Sequence, residues 1–243
     1  MNMHGQVQEQ VEEMFAALKL NEIDAQKKTR VAKYVISLLE GLNKIRLTGE
    51  KSVEGIIWYQ IYDSIKILKR TDLDPGIKVI DLGSGGGLPG IPLKICKPGI
   101  EMYLMDSNRK KASFLKELIE TLNLENIYVL CGRAEDYGQN YSHREKYDLV
   151  LSKAVAEMAV LVEMALPLLK TGGRGLFYKG PKGKNEIIEA DKALATCGGE
   201  LEWEWAYKLQ DGEERVLYNI RKSGKTPSKY PRRAGVPSRK PIK

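Results

Sequence analysis

The segment Val79-Ile80-Asp81-Leu82-Gly83-Ser84-Gly85-Gly86-Gly87 constrains this chain more than any other part of it. Three apolar residues and one carboxylate run directly into glycines, and Leu88-Pro89-Gly90-Ile91-Pro92-Leu93 follows in a helix-compatible pattern. Glycine is needed where a backbone turns sharply, takes positive φ or presses against a ligand that a Cβ would block. A strand, a glycine turn and a helix in succession set that ligand over a helix N-terminus, whose free N–H groups favour a carboxylate or phosphate. The expected occupant is a nucleotide-like cofactor.

The glycines alone leave its identity open. Gly85, Gly87 and Gly90 fit G-x-G-x-x-G, the spacing of a dinucleotide turn, and a purely structural turn is a third reading. Asp81 separates them. A pyrophosphate brings its own negative charge and has no use for an acid two residues before the first glycine, whereas a cofactor carrying an amino-acid ammonium does. With Gly83, Gly85 and Gly87 in G-x-G-x-G register, the pattern resembles the first motif of the S-adenosylmethionine-dependent methyltransferases.

The length of 243 residues suits one α/β domain with an appendage. No apolar run reaches the roughly 18 residues of a membrane span, and the N-terminus lacks a signal-peptide pattern. Cys96, Cys131 and Cys197 are odd in number and widely spaced, which fits reduced thiols in a cytoplasmic protein. His4 and His143 are the only histidines, so neither a zinc site nor a histidine base is expected.

The charge of +7 is unevenly placed. Nine of the 39 Lys and Arg residues lie in 221–243 and none of the 32 acids does, so residues 1–220 are near neutral and carry a basic tail. Prolines at 227, 231, 237 and 241 predict an extended, non-helical segment. Such a tail suits counterion release on a polyanion, with Tyr230 available to stack on a base; a solvated solubility tail is the alternative.

Residues 6–70 read as helical. Val11, Met14, Phe15 and Leu18 keep helical spacing; a second helix starts near Asp24, its expected N-cap, and a third spans about 52–69. Beyond Asp74-Pro75-Gly76, strands at about 77–82, 101–106, 126–131, 147–152 and 174–179 alternate with helices near 90–96, 108–122, 157–169 and 184–197, the sign of a parallel sheet covered on both faces. Then the alternation stops. Runs 200–209 and 214–221 flank Gln210-Asp211-Gly212-Glu213 and predict a closing antiparallel hairpin, unlike a dinucleotide fold.

Ligands of an open α/β sheet sit beyond the carboxyl ends of its strands. Asp106, ending the second strand, is placed to accept ribose hydroxyls, or to cap the helix near Asn108. Ala134 offers a backbone N–H and Glu135 or Asp136 an acceptor for an adenine edge, unless these are ordinary surface acids. After the fourth strand, Ser152-Lys153-Ala154-Val155-Ala156 is where a methyl acceptor would meet the cofactor. There is no Asn/Asp-Pro-Pro-aromatic motif, no Pro-Cys nucleophile and no evident base there. Guanine N7 has a free lone pair and no proton to lose, so such a site needs positioning and desolvation more than acid–base chemistry.

Assembled, these residues resemble the glucose-inhibited division protein B family, the small-subunit rRNA guanine-N7 methyltransferases. Leu42-Asn43-Lys44-Ile45-Arg46-Leu47-Thr48 resembles the family's WNxxxNLT segment and Ile61-Tyr62-Asp63-Ser64 its H-x-x-D-S segment. The run from Asp81 to Gly90 is close to DxGSGxGFPG; Ser107 to Leu115, Arg133-Ala134-Glu135, Lys179-Gly180 and Thr226 to Pro237 also match. Gly41 stands where the family has tryptophan, Arg46 for its second asparagine, Gln60 for histidine, Leu88 for phenylalanine and Lys153 for arginine.

The resemblance implies a Rossmann-like class I fold: an N-terminal helical subdomain (1–72), a methyltransferase domain (73–222) closed by the hairpin, and the tail (223–243). It implies S-adenosylmethionine held by Asp81, Gly83, Gly85, Leu88, Asp106, Ala134, Glu135 and Lys153, with Lys153 as the catalytic-zone residue and no metal. The product would be 7-methylguanosine in 16S rRNA, at the guanine usually numbered 527. The substrate would be that RNA or the small ribosomal subunit, the tail would hold RNA, and the enzyme would be a cytoplasmic monomer. Two rivals stand beside this reading: methylation of a small molecule or protein, and a non-catalytic RNA- or ribosome-binding module.

Overall fold

The computed structural model describes residues 2–20 and 22–243; Met1 and Asn21, both inside the expected N-terminal subdomain (1–72) and the second inside the stretch expected to be helical, lie outside the described residues. Among these, seven strands form one sheet: β1 (Lys78–Leu82), β2 (Glu101–Asp106), β3 (Ile127–Cys131), β4 (Tyr147–Lys153), β5 (Leu169–Lys179), β6 (Gly199–Lys208) and β7 (Glu214–Lys222). Their order is β3-β2-β1-β4-β5-β7-β6. The first five are parallel and β7 runs antiparallel between β5 and β6.

The order reverses at β1, which pairs β2 on one side and β4 on the other. A cleft must open there, because the chain leaves the two neighbouring carboxyl ends in opposite directions. Central strands covered on both faces read as nearly continuous apolar runs. In β1, Val79 and Ile80 face opposite cores, and Asp81 is the polar residue between buried apolar neighbours.

One core joins the sheet to the N-terminal helices. Val7, Met14 and Phe15 of helix Met3–Leu18 and Val31, Tyr34 and Leu38 of helix Ala25–Leu42 belong to the same buried cluster as Leu93, Leu104 and Leu115. Asp24 caps the second helix, accepting from the Lys27 N–H at 2.8 Å, as its sequence position predicts. The third helical run, 53–69, departs from the regular helix expected. Ile56–Ile61 is π-helical between α-turns at Val53–Gly55 and Tyr62–Lys66, with a 3-10 end at Ile67–Lys69. On the opposite face, helices Met158–Ala165, Gly183–Glu189 and Asp191–Cys197 contribute to a second core with Ile80, Val150 and Phe177.

The remaining differences are local. The helix expected over 184–197 breaks at Ala190, the one over 157–169 ends in a 3-10 turn at Leu166–Leu168, and β5 begins at Leu169. A short helix, Ala134–Gln139, lies where none was expected; a single turn and a half carries too little periodicity to read.

The tail differs most. It folds back on the domain, with Thr226, Pro231 and Pro237 buried, and it contains a short helix, Val236–Arg239. Pro237 lies in the first turn, where its missing N–H has no intrahelical partner to lose, so proline density did not prevent a helix.

Tyr34 ties the N-terminal helices to the glycine turn. It is fully buried, and its hydroxyl donates to the Gly86 carbonyl at 3.0 Å. Tyr34→Phe is expected to leave that carbonyl without its partner and to cost about 1–2 kcal/mol, read from the urea midpoint at constant m-value; an unchanged midpoint would show that the turn holds itself.

Candidate active site

The glycine turn is held by β2 beside it and by bonds of its own. Gly83, Gly85 and Gly87 take φ of +72°, +57° and +100°, the left-handed region that only glycine enters without strain. The N–H groups of Gly83 and Ser84 donate to the Met105 carbonyl, that of Gly85 to Asp106 Oδ2 at 3.0 Å, and those of Gly87 and Leu88 to the Ser84 carbonyl. Even the Gly90 N–H, at the start of helix Gly90–Cys96, donates to Asp81 Oδ2 at 3.0 Å. The amides of Gly83, Ser84, Gly85, Gly87, Leu88 and Gly90 are thus not free for a pyrophosphate. The sequence expectation of a free helix N-terminus for the ligand is therefore corrected, because Asp81 occupies that position itself.

What remains unsatisfied is negative. Asp81 is fully buried and its Oδ1 has no hydrogen-bond partner among the described residues. Burial raises its pKa from 3.8 to about 7; the Asp106 carboxylate adds to the rise, while Gly90, Ser84 and Lys153 oppose it. A buried carboxylate oxygen without a donor calls for a cation or a hydrogen-bond donor from a ligand.

Two cavities meet at Gly83. The larger, about 600 Å³, lies between the turn, the loop around Arg46–Thr48 and the end of β4. Gly85, Leu88, Lys110, Lys111 and Lys153 also line it, and no carboxylate or imidazole does. The smaller, about 250 Å³, is lined by Asp106, Ala134 and Glu135 from the ends of β2 and β3, by Val155, and by Ser238 of the C-terminal segment. A Cβ on Gly83 would stand 2.5 Å from Val155 Cγ2, so the residue after β4 can close on the turn only because position 83 is glycine.

Seven of the eight expected site residues line one or the other of these cavities, in unequal states, whereas Asp81 lines neither and lies buried beneath the turn. Leu88 is buried against the core and forms part of the cleft wall. Asp106 accepts from Gly85 and, through Oδ1, from the Asn108 N–H at 2.8 Å; Asn108, not Asp106, caps helix Arg109–Thr121. Ala134 opens helix Ala134–Gln139 on the smaller cavity. Glu135 is almost fully buried and its Oε1 accepts from the Gly235 N–H at 2.8 Å, with Arg133 at 3.5 Å, so this carboxylate already holds protein.

Lys153 lines the larger cavity, yet its ammonium is engaged: Asp63 Oδ2 lies 2.8 Å away, and the carbonyls of Gln60 and Tyr59 accept at 3.1 and 3.4 Å. Asp63 is fully buried and also accepts from the Tyr207 hydroxyl at 2.6 Å. The π-helical stretch lies where these carbonyls turn to Lys153, since widening the helix frees backbone acceptors from the regular ladder. Asp63, Tyr207 and Ser238 carry no role in the sequence reading. Only the first had a signal, its place in the Asp63-Ser64 pair.

Strand order with a closing antiparallel hairpin, and a crevice at the β1/β4 carboxyl ends, define a class I methyltransferase fold. The crystal structure of M. jannaschii TYW2 in complex with AdoMet superposes with a TM-score of 0.53 at 18% identity, covering 74% of this chain and 80% of that one. A model of the family described as rRNA small subunit methyltransferase G matches residues 27–211, and the chain belongs to that family. Among its relatives is the Ribosomal RNA small subunit methyltransferase G of Pelotomaculum thermopropionicum, 44% identical over 86% of both chains. The protein of the same name from Lysinibacillus sphaericus is 40% identical over 95% of this chain and 98% of its own.

Two outcomes follow from the buried charges. Asp81 binds a proton in the folded protein that the unfolded chain releases. Its contribution to stability is full below about pH 4 and is lost as pH rises through about 7. Asp81→Asn, neutral throughout, is expected to flatten that fall in urea unfolding of the ligand-free protein between pH 4 and 8, and a slope equal to the parent's would exclude this. Lys153→Ala strands Asp63 with only Tyr207 and is expected to cost about 3 kcal/mol; a thermal midpoint equal to the parent's would show the pair to be worth little.

Proposed function

We propose that this chain transfers the methyl group of S-adenosylmethionine to N7 of a guanine in 16S rRNA, the one usually numbered 527, giving 7-methylguanosine. The observation that carries the reading is the partnerless oxygen of Asp81 beneath a glycine turn most of whose amides are already bonded to β2 or within the turn. That combination fits a cofactor with a cationic amino-acid end and disfavours a dinucleotide. Asp81 would face the ammonium; Gly83, Gly85 and Leu88 would seat the methionine and ribose side; Asp106, with lone pairs still free on both oxygens, would take ribose hydroxyls; and the Ala134 backbone would meet the adenine. When bound, the cofactor supplies an electrophilic sulfonium methyl, whose carbon–sulfur bond breaks towards sulfur as the guanine N7 lone pair forms the new bond.

The side chains of the larger cavity suit that acceptor. N7 has no proton to lose, so the absence of a carboxylate or imidazole from the lining costs the reaction nothing. The chain must instead orient the base and exclude water. Arg46, Lys110 and Lys111 give the cavity a cationic lining that suits an RNA backbone. Lys153, fixed on Asp63, contributes positive charge and a rigid wall at the transfer zone rather than a mobile acid or base. Lys225, Lys229, Arg233, Arg239 and Lys240 are exposed on the folded C-terminal segment and are assigned to RNA, whereas Lys222 and Arg232 turn inward.

The test is tritiated methyl transfer from S-adenosylmethionine to 16S rRNA and to small subunits from cells lacking the modification, with borohydride–aniline cleavage of the product. Cleavage at a single guanine is the expected result. Label that resists cleavage would move the acceptor away from N7, and no incorporation into either substrate would overturn the reading.

A further inference from the structure

The folded C-terminal segment is anchored far more heavily than a surface arm requires. Arg232 binds the fully buried Glu163 three times, through its backbone N–H at 2.9 Å, Nε at 2.8 Å and Nη2 at 2.5 Å. Arg144 donates to the carbonyls of Tyr230 at 2.7 Å, Thr226 at 2.8 Å and Pro227 at 3.3 Å. Gln139 holds the carbonyls of Pro231 and Ser228 at 2.7 and 3.1 Å. The buried Lys222 donates to Thr226 and to the Leu166 carbonyl, and Thr226 in turn to that of Cys197. Burial lowers the Lys222 pKa to about 8, so even this anchor sits at a cost in desolvation.

These bonds deliver one stretch to one place. Gly235, at φ +80°, turns its N–H onto Glu135 Oε1, and Ser238 arrives on the wall of the smaller cavity beside Asp106, Ala134 and Glu135. Helix Val236–Arg239 begins directly after that contact.

We propose that the docked segment 226–239 supplies, through Ser238, part of the wall of the cofactor site and that Glu135 is a positioning residue, which acts on the cofactor by latching Gly235 rather than by reading it directly. The inference rests on the reading of the smaller cavity as the adenosine end of the S-adenosylmethionine site. Its consequence is thermodynamic. Docking of the segment completes the cavity, so a ligand in the cavity stabilises the docked segment, and loosening the segment at a point outside the cavity weakens the ligand. Because the same segment presents exposed cations, the site ties the surface assigned to RNA to cofactor occupancy.

The test uses the full chain and S-adenosylhomocysteine as the probe, by calorimetry. Arg144 lines neither cavity, and Arg144→Met is expected to weaken binding at least threefold by loosening the segment. Glu135→Ala is expected to weaken it about tenfold, and the double variant to bind no more weakly than the weaker single one, since both act by releasing the same segment. In the unaltered protein, S-adenosylhomocysteine is expected to slow amide exchange at Gly235 at least tenfold more than at β6, a readout that survives any variant that fails to fold. Parental affinity in Arg144→Met, losses that multiply in the double variant, or a Gly235 amide that ignores the ligand would overturn the inference alone. A parent protein that binds no S-adenosylhomocysteine would overturn it together with the functional reading, whereas binding without RNA methylation would leave it standing.

Discussion

A carboxylate held in the dry centre of the sheet, with one oxygen left over, governs how this crevice is built. Asp81 can be there because β1 lies between two parallel neighbours and its backbone is fully paired, so the side chain alone carries the unsatisfied charge. One oxygen is used to anchor Gly90 and with it the exit of the glycine turn. The other has no donor among the described residues, and burial raises the pKa of the group to about 7. In the proposed function, charge complementarity at that atom, more than the glycine spacing, would select the molecule bound.

Everything around that atom works to keep it dry and its neighbours fixed. Tyr34 and Leu38 close over the turn from the N-terminal helices, with Tyr34 bonded to Gly86. Asp63, Lys153 and Tyr207 join the third helical run, the end of β4 and the edge strand β6 in one buried polar cluster. A lysine at 153 keeps the charge of the arginine usual in the family, though not its planar fork, and the π-turn carbonyls of Tyr59 and Gln60 take up two of its donors. The helices are thus a structural half of the site rather than a detachable lid, since they share their apolar core with the sheet.

The C-terminal segment shows how composition can be read correctly and geometry wrongly. Its nine cations and four prolines are visible in the sequence and suggest a free, extended arm. Its fold depends on partners that no local pattern announces: Glu163, buried in an apolar helix, and Arg144 in a surface loop, both distant along the chain. Two of the nine cations are consumed inside the protein, and the stretch expected to be extended folds back and sets Ser238 on a cavity wall.

Strand positions, helix caps and the closing hairpin were legible because they rest on local rules: apolar periodicity, turn chemistry and the conformational freedom of glycine. Where the two cavities open was legible for the same reason, since the ends of parallel strands converge wherever the order reverses, and Asp106, Ala134 and Lys153 terminate or follow such strands. What each side chain does there was not. That Glu135 holds Gly235, that Lys153 rests on Asp63 and that Gly90 is already bound to Asp81 are contacts between residues up to 100 positions apart. Sequence alone determined the elements and the chemistry available to them. Only the tertiary structure decided which donor met which acceptor, because hydrogen bonds and ion pairs act within a few ångströms and the chain's path through space, not its order, sets those distances.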